Sequence, residues 1–361
     1  MSIPKTMHGV YLMGHGGPEM LEYRTDIPAP TPAPDQVLIR VGAAGINNTD
    51  INTRIGWYSK TVTGSTDKGT ETGFDDLDDD SSWNGAPFQF PRIQGADVCG
   101  EVVAIGAEVS NHNIGDRVLV RTMQNAPDTT EEYIAWTFGS ECDGGFAQYT
   151  VARACETYGV KSDWTDAELA SIPCAYSTAE GMLHRANLGA ERVLITGASG
   201  GVGSAAIQLA KRRGAYVIAV SSVPKAADVR AVGADLVIDR NADLVAELGT
   251  NSVDVVVDLV AGAQWPSLLE LIRPGGRYAV AGAIAGPIVE LDVRTLYLKD
   301  LSLLGCTFQD PIVFQNLISY IEANEIRPLV AQTYPLRDIE TAQADFVAKA
   351  HTGKLVLIPE Q

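Results

Sequence analysis

A run of roughly 18 apolar residues, enough to cross a bilayer as a helix, occurs nowhere in the 361-residue chain. The start, MSIPKTMHGVYLMGHGG, has no uninterrupted apolar stretch behind basic residues. The reading is therefore a protein with no membrane span and no export signal. Basic clusters are missing as well. The 27 Lys and Arg stand against 45 Asp and Glu, a formal net charge of −18. Such a chain has no positive stripe to displace counterions from phosphates, which argues against nucleic acid as a ligand. Cysteine is scarce: five residues, at 99, 142, 155, 174 and 306, with no CxxC pair. An odd, scattered set excludes a disulfide framework and fits a reducing cytoplasm. The densest charge, FDDLDDDSSW at 74–83, lies in a Gly/Ser/Thr/Asp-rich segment from about 59 to 87. It lacks the spaced alternation and glycine of a calcium loop and reads as a solvated loop.

Apolar residues are plentiful, 45% of the chain. That length and content predict two domains. The character changes near residue 160. Before it, short β-like runs such as QVLIRVGAAGI, DVCGEVVAIG and DRVLV are separated by Pro- and Gly-rich turns, which predicts an irregular, mainly β domain. After it, six apolar strand patterns alternate with helices, from RVLITG to LSLLGCTF, which predicts a doubly wound parallel sheet. The terminal FQNLISYIEANEIRPL and HTGKLVLIPEQ fall outside that alternation. The last strand is expected to rejoin the first domain, giving one domain of 1–160 with 311–361 and another of 161–310.

Within the second half, VLITGASGGVGSAAIQLAKRRGA carries the most chemistry. A strand runs into Gly197, Gly200, Gly201 and Gly203 before a helix opens near Ser204, and Gly214 follows the helix end. Glycines let a pyrophosphate approach the backbone, and the helix start offers free N–H donors. The loop, with Ser199 and Val202 inside it, is expected to hold a dinucleotide. The strand YVIAVSS ends in Ser221 and Ser222 where an NAD site would carry an acidic residue for the ribose hydroxyl. Lys225 follows, and Arg240 ends the next strand pattern. Hydroxyls and cations together suit a 2′-phosphate, so NADP(H) is the expected cofactor.

The ordered series GINNTD, PRIQGADVCGEVVAIGAEVSNHNIGDRV, GGFAQYTVA, IPCAYSTAEGML, VLITGASGGVGSAAIQLAK, LIRPGGRYAVAG and GKLVLIP resembles the medium-chain dehydrogenase/reductase superfamily across nearly the whole chain. The resemblance implies an α/β fold, a Rossmann sheet inserted into a GroES-like, mainly β catalytic domain. In the zinc alcohol dehydrogenases of that superfamily a cysteine occupies the place of Asn47, and Gly-His-Glu occupies the place of GAD at 95–97. Asn47 and Ala96 cannot replace thiolate and imidazole as ligands. Cys174 alone of that set remains; it is either a buried small apolar residue or a reactive thiol. The structural zinc of those relatives needs four closely spaced cysteines, and 121–149 holds only Cys142. The chain therefore looks like the zinc-independent quinone oxidoreductases (zeta-crystallin type) and the enoyl-thioester reductases. In the latter a motif like N-x-x-D-I-N-x-x-x-G-x-Y carries the catalytic tyrosine; here it reads Asn47, Asp50, Ile51, Asn52, Gly56 and Tyr58. Two departures stand out. Quinone reductases have tyrosine at the place of Asn52, and the acidic insertion after Tyr58 lengthens a short loop. The resemblance also points to Thr178, Val260, Gly282 and Ala283 as cofactor contacts. Plain alternatives are a helix-start hydroxyl for Thr178 and turn positions for Gly282 and Ala283.

Hydride delivery to a conjugated carbonyl builds negative charge on its oxygen, which neutral donors can receive. Asn47 and Tyr58 are the expected donors, and Asp50 is expected to organise its own turn. Oxidation of a simple alcohol would need a base or a bound metal, and no motif histidine supplies one; His184 reads as a packed or surface residue. The expected function is NADPH-dependent, zinc-independent reduction of a quinone, enone or enoyl thioester. A nucleotide-binding protein with vestigial activity and an alcohol dehydrogenase-like enzyme remain as alternatives. The apolar pattern LSLLGCTF would lie at a sheet edge, which predicts a homodimer.

Overall fold

The computed structural model describes residues 3–127, 129 and 131–360. By internal contacts the chain forms two units. The first comprises the stretch through Val62, Asp67–Cys174 and the stretch from Phe314; the second comprises Thr63–Thr66 and Ala175–Val313.

The first unit is built on the strand Gln36–Gly45, whose Val37, Leu38, Ile39 and Val41 are all essentially fully buried. Each such side chain removed from water contributes about 1.5–3 kcal/mol, so this strand is the natural centre of the core. It pairs antiparallel with Cys99–Ile105, Tyr149–Arg153 and Lys354–Ile358. The terminal strand Lys354–Ile358 is thus part of the sheet built on Gln36–Gly45. It also pairs parallel with Val330–Pro335. A three-stranded sheet of Leu21–Pro28, Thr6–Leu12 and Arg92–Ile93 covers the same core.

The insertion after Tyr58 is only partly the solvated loop expected. Asp75, Asp76, Asp78 and Asp79 are exposed, but Ser59, Val62, Thr66, Ser81 and Ser82 are buried. Phe74 packs on the core and the Leu77 side chain closes over Gly56. Apolar side chains interspersed among the acids anchor the segment while the carboxylates stay in water.

The second unit is a six-stranded, all-parallel sheet. In spatial order the strands are Leu236–Asp239, Tyr216–Ser221, Arg192–Ile195, Val253–Asp258, Ile272–Val280 and Ser302–Gly305. In order along the chain this is 3-2-1-4-5-6, the Rossmann arrangement. Val193, Leu194, Ile195 and Val255, Val256, Val257 are fully buried, as expected for strands covered by helices on both faces. The order reverses between Arg192–Ile195 and Val253–Asp258, and dinucleotides bind outside the strand ends at such a switch point. Among the described residues no helix is long and apolar enough to cross a membrane.

Candidate active site

Asn47 links the central strand to the short helix Asn48–Arg54. Its backbone N–H donates to Asp50 Oδ2 at 2.7 Å, so Asp50 does organise its own turn. Burial pushes the Asp50 carboxyl up to about 7; the backbone N–H of Asn47 opposes this, the Asp97 charge adds to it, and Lys354 opposes it again. The Asn47 side chain turns inward. Its Nδ2 donates to Asp97 Oδ2 at 2.9 Å and to the Gly45 carbonyl at 3.3 Å. Its Oδ1 accepts from Lys354 Nζ at 2.5 Å.

Lys354 is 3% exposed and Asp97 0%, and their ion pair is 2.8 Å long. The ammonium also donates to the Ile46 carbonyl at 2.9 Å, so all three of its N–H bonds are placed. The second Asp97 oxygen accepts the Cys174 backbone N–H at 2.6 Å. Two charges this deep are tolerable only when paired and hydrogen-bonded throughout. Room for the carboxylate comes from Gly45, where a Cβ would stand 2.5 Å from Asp97 Oδ2. Cys174 is half-buried and none of the cysteines is in a disulfide.

Tyr58 lies in a group of aromatic and hydroxyl side chains. Its ring packs against Trp83 at 4.7 Å and edge-on against Trp57 at 5.6 Å. Its hydroxyl donates to Thr49 Oγ1 at 3.3 Å, and the Trp83 indole N–H donates to the same oxygen at 2.8 Å. Burial raises the Tyr58 phenol well above its ordinary range, against the hydrogen bonds of Thr49 and Asn52. The hydroxyl is therefore a neutral donor throughout the physiological range.

In the second unit, the helix Gly201–Arg212 follows the glycine loop. Gly201, Val202 and Gly203 form its first turn, whose N–H groups have no intrahelical acceptor. Gly203 is required by packing: a Cβ there would lie 2.3 Å from the Gly197 carbonyl. Gly200 is different, since a Cβ would meet nothing closer than 3.5 Å. Its missing side chain instead leaves the backbone open beside Ser199, as a pyrophosphate cradle requires.

At the end of the next strand the Ser221 hydroxyl is buried with no hydrogen-bond partner among the described residues. The Ser221 carbonyl accepts from the Arg240 N–H at 2.9 Å. Burial, and then the neighbouring Arg240 guanidinium, lower the Lys225 ammonium. Two cations that repel one another beside an unpaired hydroxyl suit a dianionic phosphate. Asp239, across the register from Ser221, lies at the same strand ends, and its carboxylate is taken up by the N–H groups of Val223 and Asn241.

Fully buried Asp258 fastens the switch point. It accepts from Thr196 Oγ1 at 2.5 Å, from the Tyr278 hydroxyl, and from the N–H groups of Val260 and Ala261. Val260 is thereby held in a fixed turn. Gly282 packs on that turn, since a Cβ would stand 2.8 Å from the Leu259 carbonyl, and Ala283 follows half-buried. Thr178 is six residues into the helix Pro173–Arg185, which rules out the helix-start reading. His184 is exposed, as expected.

Sequence reading passed over Asp97, Lys354, Thr49, Trp83 and Asp258. For two of them a signal was present. Lys354 is a lone charge inside the apolar run GKLVLIP, and Asp258 ends the apolar DVVVD. A single charge in a buried strand implies a buried partner.

Residues 33–162 match the alcohol dehydrogenase GroES-like domain family, and residues 201–323 match the zinc-binding dehydrogenase family. The chain belongs to the medium-chain dehydrogenase/reductase superfamily, in its quinone oxidoreductase-like branch. The quinone oxidoreductase of Lama guanicoe is 29% identical, over 98% of both chains. The Arabidopsis thaliana chloroplastic NADPH-dependent alkenal/one oxidoreductase is 29% identical, over 99% of this chain and 81% of that one. A crystal structure of a candidate alcohol dehydrogenase from Sinorhizobium meliloti 1021 is 44% identical, covering 100% of this chain and 98% of that one with a TM-score of 0.88. This member of the superfamily is thus an oxidoreductase by descent. Among its described residues no group of three or more His, Cys, Asp or Glu side chains is arranged to hold a metal ion.

Proposed function

We propose that this medium-chain reductase is an NADPH-dependent, zinc-independent enzyme that reduces conjugated carbonyl compounds: quinones, enones or enoyl thioesters. The observation that carries the reading is Tyr58, a phenol kept neutral by burial, whose hydroxyl donates only a long hydrogen bond, 3.3 Å to Thr49 Oγ1. Zinc independence is supported by the residue types, with Asn47 and Ala96 in place of two ligands.

The glycine loop fits a dinucleotide, with Gly197, Ser199, Gly200, Gly201, Val202 and Gly203 around its pyrophosphate. Ser221, Ser222, Lys225 and Arg240 would hold a 2′-phosphate; Thr178, Val260, Gly282 and Ala283 would take the nicotinamide end. When bound, NADPH supplies the hydride. Tyr58 gives its hydroxyl proton to the enolate that results, directly or through water. The inward-turned Asn47 amide acts as a positioning group: Lys354 and Asp97 hold it, and its backbone N–H on Asp50 fixes the start of the helix that carries Thr49 and Asn52. Five scattered thiols support a cytoplasmic setting.

A screen of quinones, enones and enoyl-CoA with each coenzyme tests this reading. NADPH should bind one to two orders of magnitude more tightly than NADH, because a charged hydrogen bond contributes about 1.5–3 kcal/mol. Equal dissociation constants by fluorescence titration would remove the cofactor assignment. Chelator treatment should leave the rate unchanged, and one tightly held zinc per chain would overturn zinc independence. No NADPH consumption with any acceptor would favour the vestigial alternative.

We further propose a two-fold dimer. Among the described residues Ser302–Gly305 has a strand neighbour on one side only. Near it in sequence, Ile288, Val293, Tyr297 and Leu298 are 58–70% exposed. An open edge beside exposed apolar side chains invites pairing with a second copy. Light scattering at micromolar concentration should give twice the chain mass; a stable monomer would exclude the pairing.

A further inference from the structure

Trp83 enters the neighbourhood of Tyr58 from the insertion, whose sequence reads as a solvated acidic loop. Its ring lies 4.7 Å from the phenol at a tilt of 47°. Its indole N–H, a donor with no acceptor capacity, reaches Thr49 Oγ1 at 2.8 Å. A hydroxyl oxygen has two lone pairs. One takes the Trp83 bond, and the other receives the Tyr58 hydroxyl at 3.3 Å.

The two lengths differ in consequence. At 2.8 Å the Trp83 bond lies near the optimum, whereas 3.3 Å is long for an O–H···O bond. Tyr58 can release Thr49 to meet a bound carbonyl, while Thr49, held by Trp83, stays where it is. Nearby, Asn52 is 6% exposed, and its Oδ1 has no hydrogen-bond partner among the described residues. Buried acceptors are rarely left unmatched, so this cluster retains capacity for a donor on a bound molecule.

We infer that the insertion completes the acceptor site, and that Trp83 is a positioning residue which sets the Tyr58 hydroxyl through Thr49. This inference rests on the proposed role of Tyr58 as proton donor. Without the 2.8 Å anchor, Thr49 would follow the phenol as it swings. The hydroxyl would then spend less time aligned with the acceptor, which lowers turnover and leaves coenzyme binding alone.

The test is a double-mutant cycle on the best acceptor found in the screen. Trp83→Phe keeps an aromatic ring over the phenol and removes the N–H. It should lower kcat about three- to tenfold, the range for one neutral hydrogen bond, with the coenzyme dissociation constant unchanged. In a Tyr58→Phe background the same change should cost nothing further, because the group it positions is gone. A merely structural effect of Trp83 would persist there and add. Thr49→Val should reproduce the loss, and Thr49→Ser, which retains the hydroxyl, should restore most of it even if a Trp83 variant folds poorly. If Tyr58→Phe lowers kcat while Trp83→Phe and Thr49→Val do not, or if their losses add to it, the inference is wrong and the proton-donor reading stands. If Tyr58→Phe itself has no effect, that reading fails and takes the inference with it.

Discussion

Tyr58→Phe is expected to lower turnover about tenfold to several hundredfold, with NADPH affinity nearly constant. The substitution keeps the ring that packs against Trp57 and Trp83 and deletes the hydroxyl. Little packing is lost, since the Tyr58 hydroxyl makes just a long bond to Thr49 and takes a hydrogen bond from Asn52. The loss would therefore come from the transition state, where charge on the carbonyl oxygen is greatest. It should appear in kcat and kcat/KM together, the signature of an interaction made only there. Because burial raises the phenol far above neutrality, the wild-type rate should show no alkaline limb from Tyr58 in the physiological range. Stopped-flow single turnovers would isolate the chemical step. Full turnover in both Tyr58→Phe and Asn47→Ala would reduce the 45–58 segment to a turn and require another proton source.

Lys354→Met is expected to destabilise the first unit by about 3–5 kcal/mol, the cost of stranding one partner of a buried ion pair. The methionine fills a similar volume, so the loss would be electrostatic. Asp97, fully buried, would keep its bonds from Asn47 and Cys174 but lose its counter-charge. Asn47 Oδ1 and the Ile46 carbonyl would lose their donor at the same time. Combining Lys354→Met with Asp97→Asn should recover a large part of the loss, because no unpaired charge then remains inside. Urea denaturation followed by tryptophan fluorescence measures both variants. A single-variant loss below about 1 kcal/mol would mean that water reaches the pair and that it does not organise the site.

Much of the second unit was legible because its signals are local. A parallel sheet buried on both faces demands unbroken apolar strands, and a phosphate-binding turn demands glycine at given intervals. Ser221, Lys225 and Arg240 could be singled out for the same reason, each standing at the end of a recognisable strand or just beyond it. The first unit was harder to read. Its strands are short, and their neighbours come from distant parts of the chain, as when Lys354–Ile358 joins Gln36–Gly45.

The donor-rich GINNTD was visible, but the direction of the Asn47 amide was not. That direction depends on Asp97, 50 positions away, and Lys354, 307 positions away. The insertion shows the same division. Its composition announces carboxylates that belong in water, and the exposed Asp75, Asp76, Asp78 and Asp79 are where composition puts them. Nothing in composition announces that Trp83 would reach Thr49, 34 positions earlier.

By itself, then, the sequence determined the alternation of apolar strands and helices in the second unit and the glycine-rich turn between its first strand and helix, because each depends on residue type at short spacing. Only the tertiary structure decided which polar groups are spent on one another and which are left to act. A lysine, an aspartate and an asparagine become one buried unit once burial makes their unpaired states too costly, and that cost exists only after the chain has closed around them.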